Sequence, residues 1–384
     1  MIPYGKQEVT EADIAAVERV LRSPMLTQGP CVPQFEENFA TIVSAKYAVA
    51  VNSATSALHI ACLALGLKPG GLVWTSAISF VASANCAVYC GAEVDFVDIN
   101  PDTFNMCPDL LEEKLKIAQR QGRLPDIVIP VHMCGQSCDM KLIGRLAETY
   151  GFKVIEDASH AVGANYESQA VGSCIYGDIA VFSFHPVKII TTGEGGLAVT
   201  NNKALKNSMD RLRSHGITRD PELLLEDDGG WYYEQQSLGF NYRMTDIAAA
   251  LGISQLERLD EIIDNRNKRA SIYDSELADL PLKLPSIISA ARSSFHLYVI
   301  RLATPELCDR KRLIFQKLRN DGLGVNLHYI PIYRHPYYRA RMPEYKPLGN
   351  AEDYYKAAIS IPLFPNMTDD EQETVIAAIS RAVS

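Results

Sequence analysis

The stretch MKLIGRLAETYGFKVIEDASH, residues 140–160, decides how the chain is built. Met140–Tyr150 spaces its apolar residues for one face of a helix, and Gly151 closes that helix. Lys153–Glu156 follows as a short apolar strand that ends on Asp157. Helix followed by strand is the unit of an α/β domain, and it recurs on both sides. Upstream, Tyr47–Val51 reads as a strand and Thr55–Leu65 as a helix with Gly66 near its end. Val94–Ile99 is a strand ending at Asn100-Pro101, and Ile127–His132 is another. Downstream, Ile179–Phe184 and Gly196–Thr200 continue the series. Alternation of this kind predicts a largely parallel sheet covered by helices. Ligands of such sheets bind beyond the carboxyl ends of the strands. Asn52, Asp157 and Ser183 lie at or beside three of those ends, which makes them one candidate site.

The chain has 384 residues, more than the roughly 250–300 that one hydrophobic core serves. Two domains are expected: a large one over residues 1–254, and a smaller C-terminal α+β domain over 255–384 against which the N-terminal segment packs. The helical stretch Asp246–Arg269 connects them, and the smaller part holds a strand at Ser294–Leu302 and a helix at Pro305–Asn320. The acidic, Gly-containing stretch 220–230 reads as a surface loop. The formal net charge is −9 with no basic block, so nucleic-acid binding has no electrostatic footprint. Nine cysteines, an odd number in a large chain, argue against a secreted disulfide framework. Cys86/Cys90 and Cys134/Cys138, with His132 nearby, have a spacing that zinc ligands also use, but Cys86 falls in an apolar helical run where buried cysteine is common. No zinc is expected. The opening MIPYGKQEVTEAD lacks a basic start followed by an apolar core, so a signal peptide is not expected. The most apolar run, Leu58–Leu67, is too short for a bilayer and is interrupted by His59. The expected location is cytoplasmic.

Four segments carry chemistry. Asn52-Ser-Ala-Thr-Ser-Ala-Leu58 is a strand end, a small-residue turn and a helix start, where free amides and small side chains suit a phosphate; Ser and Thr there also serve as plain N-caps. Glu156-Asp157-Ala-Ser-His160 puts a carboxylate at a strand end, able to hold the proton of a heterocyclic nitrogen or simply to cap a helix. Ser183-Phe-His-Pro-Val-Lys188, followed by Thr191-Thr-Gly-Glu-Gly-Gly196, places a lysine beside a glycine-rich turn. As a free amine it could form an imine and move a proton, whereas most lysines are merely solvated. Leu238-Gly-Phe-Asn-Tyr-Arg-Met244 opens a helix, with Asn241 or Arg243 able to reach an anion or to act as a cap and a surface charge.

The order of these pieces, phosphate turn, acid, serine with lysine, then Asn-Tyr-Arg, resembles fold-type I pyridoxal-phosphate enzymes. More narrowly the chain is similar to the DegT/DnrJ/EryC1/StrS sugar aminotransferases, through Ile2-Pro-Tyr-Gly5, Leu26-Thr-Gln-Gly29, the 156–161 and Lys188 segments, and Asn241-Tyr-Arg243. The resemblance implies pyridoxal 5'-phosphate as cofactor and Lys188 as its Schiff-base lysine and the general acid/base. It also implies Asp157 on the ring nitrogen, His160 near the phenolic oxygen and Phe80 on the ring face. Phosphate ligands would be the Ala54 and Thr55 amides, the Ser183 hydroxyl, and Asn241 donated by a second subunit of a homodimer. Tyr4, Leu26, Thr27, His328 and Tyr329 match positions that frame the sugar nucleotide. The stretches NSATSAL, ISFVASAN, FSFHPVK, RSHG, HLYVI and HYIPIY resemble most the members that carry an amino group from L-glutamate to C4 of a UDP-linked 4-keto-6-deoxy-N-acetylhexosamine. Pro186 departs from the small or aliphatic residues also found there and should stiffen the lysine loop. Three rival readings each ask for something different of these residues. A same-fold dehydratase would carry His at position 188. A cysteine desulfurase would need an activated thiol, with Cys174 nearest in sequence. A non-catalytic cofactor- or metal-binding protein would have no use for the Lys188/Asp157 pair.

Overall fold

A computed structural model describes residues 1–226 and 228–384; Asp227, within the expected 220–230 loop, lies outside the described residues. After β1 (Ile2–Pro3), α1 (Glu11–Leu21) and α2 (Cys31–Ile42), the chain alternates strand and helix. The succession is β2 (Tyr47–Val51), α3 (Ala54–Ala64), β3 (Leu72–Ser76), α4 (Ala82–Tyr89), β4 (Glu93–Val97), α5 (Pro108–Arg120), β5 (Ile127–Ile129), α6 (Met140–Tyr150) and β6 (Lys153–Asp157). A short hairpin, β7 (Asn165–Tyr166) and β8 (Gln169–Ala170), precedes β9 (Ile179–Ser183), β10 (Gly196–Thr200) and α7 (Lys203–Arg213). The seven-stranded sheet has the order β2-β10-β9-β6-β5-β3-β4. All its strands run one way except β10, which is antiparallel to β2 and β9. The carboxyl ends of β2, β6 and β9 therefore meet the amino end of β10 along one edge of the sheet.

Every residue of β3, β5, β9 and β10 is buried, as expected of strands covered on both faces. Residues of one parity along the strands, such as Val51, Ile129, Ile155, Val181 and Ala198, pack under α3, α4 and α7. The other parity divides between two groups. Ala50, Ala180, Phe182 and Val199 pack with α2, and Trp74, Val128 and Val154 pack with α5 and α6. The result is an α/β/α sandwich. Phe35, Phe39, Phe182 and Phe184 meet edge to face at 4.8–6.1 Å and tie α2 to the sheet; burial of each ring contributes about 1.5–3 kcal/mol.

The C-terminal part forms its own core from Tyr273, Tyr298, Ile300, Leu318, Ile359, Phe364 and Ile379, and Ile2 packs against it. Its three-stranded sheet joins Leu282–Lys283, Tyr298–Leu302 and Ala358–Ile361, all antiparallel. β1 pairs with Leu323–Gly324. Some expected elements are divided or shorter than read. The 246–269 helix is two, α8 (Asp246–Leu256) and α9 (Leu259–Glu276). The break falls at Arg258, whose guanidinium turns aside to Asp13 at 3.0 Å. The 305–320 helix likewise divides at Arg310. The 127–132 strand stops before Pro130, which has no amide to donate. The 294–302 strand begins only at Tyr298; ahead of it the Ser294 and Leu297 amides are bonded to the Gly135 and Cys134 carbonyls. No described helix is long and apolar enough to cross a membrane.

Candidate active site

At the carboxyl edge of the sheet opens a cleft of about 1080 Å³, lined from the sheet by Asn52–Ser56, Asp157, Ser159, His160, Ser183 and Lys188, and from the C-terminal part by Asn326–Ile330. Its floor is the start of α3. Ser53 caps the helix by accepting from the Ser56 amide at 3.1 Å, which leaves the Ala54 and Thr55 amides without a hydrogen-bond partner among the described residues. β10 runs hard against this turn. Gly196 pairs with both Val51 and Ser183, and a Cβ on it would lie 2.3 Å from the Ala54 nitrogen and 2.3 Å from the Ser53 carbonyl carbon. Ser183, on the strand beside Gly196, lines the same cleft.

Asp157 is buried at the end of β6. Its main chain is locked to the neighbouring strand end, Asp157 N to Pro130 O at 2.9 Å and His132 N to Asp157 O at 3.0 Å. Its carboxylate accepts from the Ser83 hydroxyl at 2.6 Å and from the Ser159 hydroxyl and amide at 2.6 and 3.1 Å.

Lys188 stands on a tight loop that closes on the Phe184 carbonyl, which accepts from the Thr192 amide and the Thr191 hydroxyl at 3.1 and 3.0 Å. Ile189 and Ile190 are buried beneath it. Desolvation by the surrounding protein lowers the Lys188 ammonium from 10.5 to about 8, opposed by the negative charge of Asp157. Lys188 is the only lysine, and no arginine is present, among the described residues lining the cleft. Three buried imidazoles surround it. Burial, with the Lys188 charge second, pushes His328 down to about 3. His160 and His296 are driven well below the usual range by the same desolvation. All three are neutral at ordinary pH. His160 Nε2 is 3.1 Å from the Tyr329 hydroxyl, and its Nδ1 is buried without a partner. Tyr4 and His328 rings lie 5.0 Å apart, and Phe80, largely exposed at the mouth, lies 6.0 Å from Tyr329.

Ala54, Thr55, Phe80, Asp157, His160, Ser183 and Lys188 are thus brought into one cleft, with Tyr4, His328 and Tyr329 from the expected substrate set. Leu26, Thr27 and Asn241 are not in its wall. All three are exposed, Thr27 bridging to Thr245 and Asn241 to Ser214. Arg243 also lies outside, bridged to Val51. Sequence reasoning missed Ser83, Ser159 and His296; only Ser159 carried a local signal, as the serine two residues after an aspartate. Cys86 and Cys138 of the two cysteine pairs donate to main-chain carbonyls. Cys138 Sγ donates to Val131 O at 3.2 Å, its amide to His132 Nδ1 at 3.1 Å, and His132 Nε2 meets Glu156 at 3.0 Å. Among the described residues no group of three or more His, Cys, Asp or Glu is disposed to hold a metal. Cys174 is buried, its thiol pushed up by burial and bonded to Gly172 and Val199 carbonyls.

These residues fit pyridoxal phosphate. Free amides at a helix start with a hydroxyl beside them suit its phosphate, a cradle that a Cβ at 196 would fill. An anchored carboxylate suits its ring nitrogen, and the orphaned His160 Nδ1 suits a ring oxygen.

Comparison with known proteins identifies the family. The profile of the DegT/DnrJ/EryC1/StrS aminotransferase family matches residues 7–380. The UDP-4-amino-4,6-dideoxy-N-acetyl-beta-L-altrosamine transaminase of Campylobacter jejuni (serotype O:23/36, strain 81-176) is 40% identical over 370 residues, 96% of this chain and 93% of that protein. The spore coat polysaccharide biosynthesis protein SpsC of Bacillus subtilis (strain 168) is 37% identical over 382 residues, 98% of this chain and 96% of that protein. The solved structure of Helicobacter pylori PseC, an aminotransferase involved in the biosynthesis of pseudoaminic acid, superposes with a TM-score of 0.90 at 32% identity, covering 100% of this chain and 99% of that one.

Proposed function

Because the chain belongs to the DegT/DnrJ/EryC1/StrS aminotransferase family, we propose that it moves an amino group from L-glutamate to C4 of a UDP-linked 4-keto-6-deoxy-N-acetylhexosamine. The product would be UDP-4-amino-4,6-dideoxy-N-acetyl-β-L-altrosamine, on the way to pseudaminic acid. The observation that carries the chemistry is Lys188, a desolvated amine lowered to about 8 in a cleft whose anchored anion is Asp157.

Pyridoxal phosphate, when bound, supplies an electron sink for the carbon that gives up or receives a proton. Ala54 and Thr55 amides with the Ser183 hydroxyl would hold its phosphate, Asp157 its ring nitrogen, and Phe80 its face. Lys188 Nζ, poised between charged and neutral, takes a proton from the donor amino acid and delivers one to C4 of the sugar. Neutral His160 and His328 can hydrogen-bond there without adding charge.

The reading includes a homodimer with shared sites. Asn241, Leu26 and Thr27 face outward from one chain, where they can serve a partner's cleft. With no arginine among the described residues lining the cleft, a cation for the diphosphate would also come from the partner. The division into 1–254 and 255–384 and a cytoplasmic location belong to the same proposal.

The spore coat protein is nearly as similar, 37% against 40%, so the ketone itself is the part of the reading to test, with the D-xylo epimer and a 4-keto pentose as the alternatives. Holoenzyme with glutamate and the three UDP-ketones, compared by kcat/KM, decides between them. The β-L-arabino-hex-4-ulose should win by about 10- to 200-fold, the range set by one misplaced methyl. Another ketone ranking first would overturn the sugar and leave the chemistry. Borohydride should fix the cofactor to Lys188; label on another lysine would overturn the site.

A further inference from the structure

We infer that Ser83, with Ser79 behind it, is a positioning residue for this reaction, donating a hydrogen bond that fixes which way the Asp157 carboxylate presents itself to the ring nitrogen of the cofactor. The inference rests on the proposed placement of that ring.

Ser83 lies in the first turn of α4, fully buried, and Ser79 just ahead of it is 2% exposed. Ser79 Oγ and Ser83 Oγ are 2.7 Å apart, and Ser83 Oγ is 2.6 Å from Asp157 Oδ2. The direction of this chain is forced. An ionised carboxylate only accepts, and each hydroxyl has one proton. Ser83 must therefore give its proton to Asp157, and its oxygen then accepts from Ser79. Lengths of this order are those of hydrogen bonds to a charged acceptor. On the other side, Ser159 donates its hydroxyl and amide to Oδ1. The two carboxylate oxygens are thus held by different elements, one by α4 and one by the turn after β6, and rotation of the carboxylate would break both sets.

Ser79, Asp157 and Ser159 line the cleft, but Ser83 does not. Ser83 cannot touch a ligand, and whatever it does there passes through Asp157. Replacing it with alanine would strip Oδ2 of its donor and leave the Ser79 proton without its acceptor. With one oxygen free, Asp157 can turn from the cleft, and the ring-nitrogen proton loses a well-aimed partner.

The test reconstitutes apoprotein with pyridoxal phosphate carrying ¹⁵N in the ring and reads the position of the ring proton from the nitrogen chemical shift. Parent, Ser83→Ala, Ser83→Thr and Asp157→Asn are compared, together with cofactor affinity by equilibrium dialysis and melting of each apoprotein. The expected result is a Ser83→Ala shift lying between those of the parent and Asp157→Asn, with affinity reduced roughly 10-fold, the scale of one hydrogen bond to a charged group. Ser83→Thr, which keeps the hydroxyl, should return the shift to the parental value. A parental shift and affinity in Ser83→Ala would overturn the inference. So would an equal displacement in the Ala and Thr variants, which would mark a packing defect. If Asp157→Asn itself leaves the nitrogen at its parental value, the placement of the ring at Asp157 fails, and the role of Ser83 fails with it.

Discussion

Gly196→Ala tests whether the phosphate cradle depends on backbone packing. The added Cβ would sit 2.3 Å from the Ala54 nitrogen and the Ser53 carbonyl carbon, and 2.5 Å from the Ser53 oxygen. These are main-chain atoms, so no side chain can swing aside. β10 cannot retreat either, because Gly196 is paired to Val51 on one side and Ser183 on the other. Relief must come from pushing the start of α3 off the sheet. Overpacking of this kind costs about 1–3 kcal/mol in folding stability. The larger effect should fall on the cofactor, because the displaced turn carries the two free amides. Losing one hydrogen bond to a charged phosphate costs about 1.5–3 kcal/mol, which is roughly a 10- to 150-fold weaker Kd. The assay is cofactor titration of apoprotein by fluorescence, with melting in parallel. Gly349→Ala serves as the control, since a Cβ there meets nothing within 4 Å, and it should behave as the parent. Parental affinity in Gly196→Ala would refute the claim that the α3 amides hold the phosphate at this turn.

The remaining predictions concern Lys188 and the dimer. With Lys188 lowered to about 8 from 10.5, about half its amine is neutral at pH 8, against roughly 0.3% for an ordinary lysine. Raising the pH removes the proton, so modification of apoprotein Lys188 by trinitrobenzenesulfonate, followed by peptide mapping, should rise with a midpoint near 8. Asp157→Asn should move the midpoint lower, because the Asp157 charge is what retains the proton; a midpoint at the ordinary lysine value refutes the desolvated site. Mixing inactive Lys188→Ala and Asn241→Ala chains should restore about a quarter of the sites at random exchange, because each mixed two-fold dimer concentrates both lesions in one site. No recovery under proven subunit exchange would refute the shared site.

The amino-acid sequence alone determined the alternating strands and helices. β2, β10 and α6 have the bounds read from it, because periodicity and a closing glycine act within a few residues. It also determined the chemical candidates, since a lysine, an aspartate and a small-residue turn are legible wherever they stand. What it did not reveal was β3, an apolar run after Gly70-Gly71 that no alternation marked, or the break in the 246–269 helix at Glu257-Arg258. Only the tertiary structure decided which side chains meet. The strand order β2-β10-β9-β6 sets the first strand of the sheet beside the last, so that Gly196 closes on Ser53 and Lys188 comes to share a cleft with Asp157. It brings Ser83 to Asp157 across 74 residues and Tyr329 to His160 across 169. It also leaves Asn241, Leu26 and Thr27 facing outward. Local periodicity carries no information about such pairs, because they are set by how complete elements pack, and packing is a property of the whole chain.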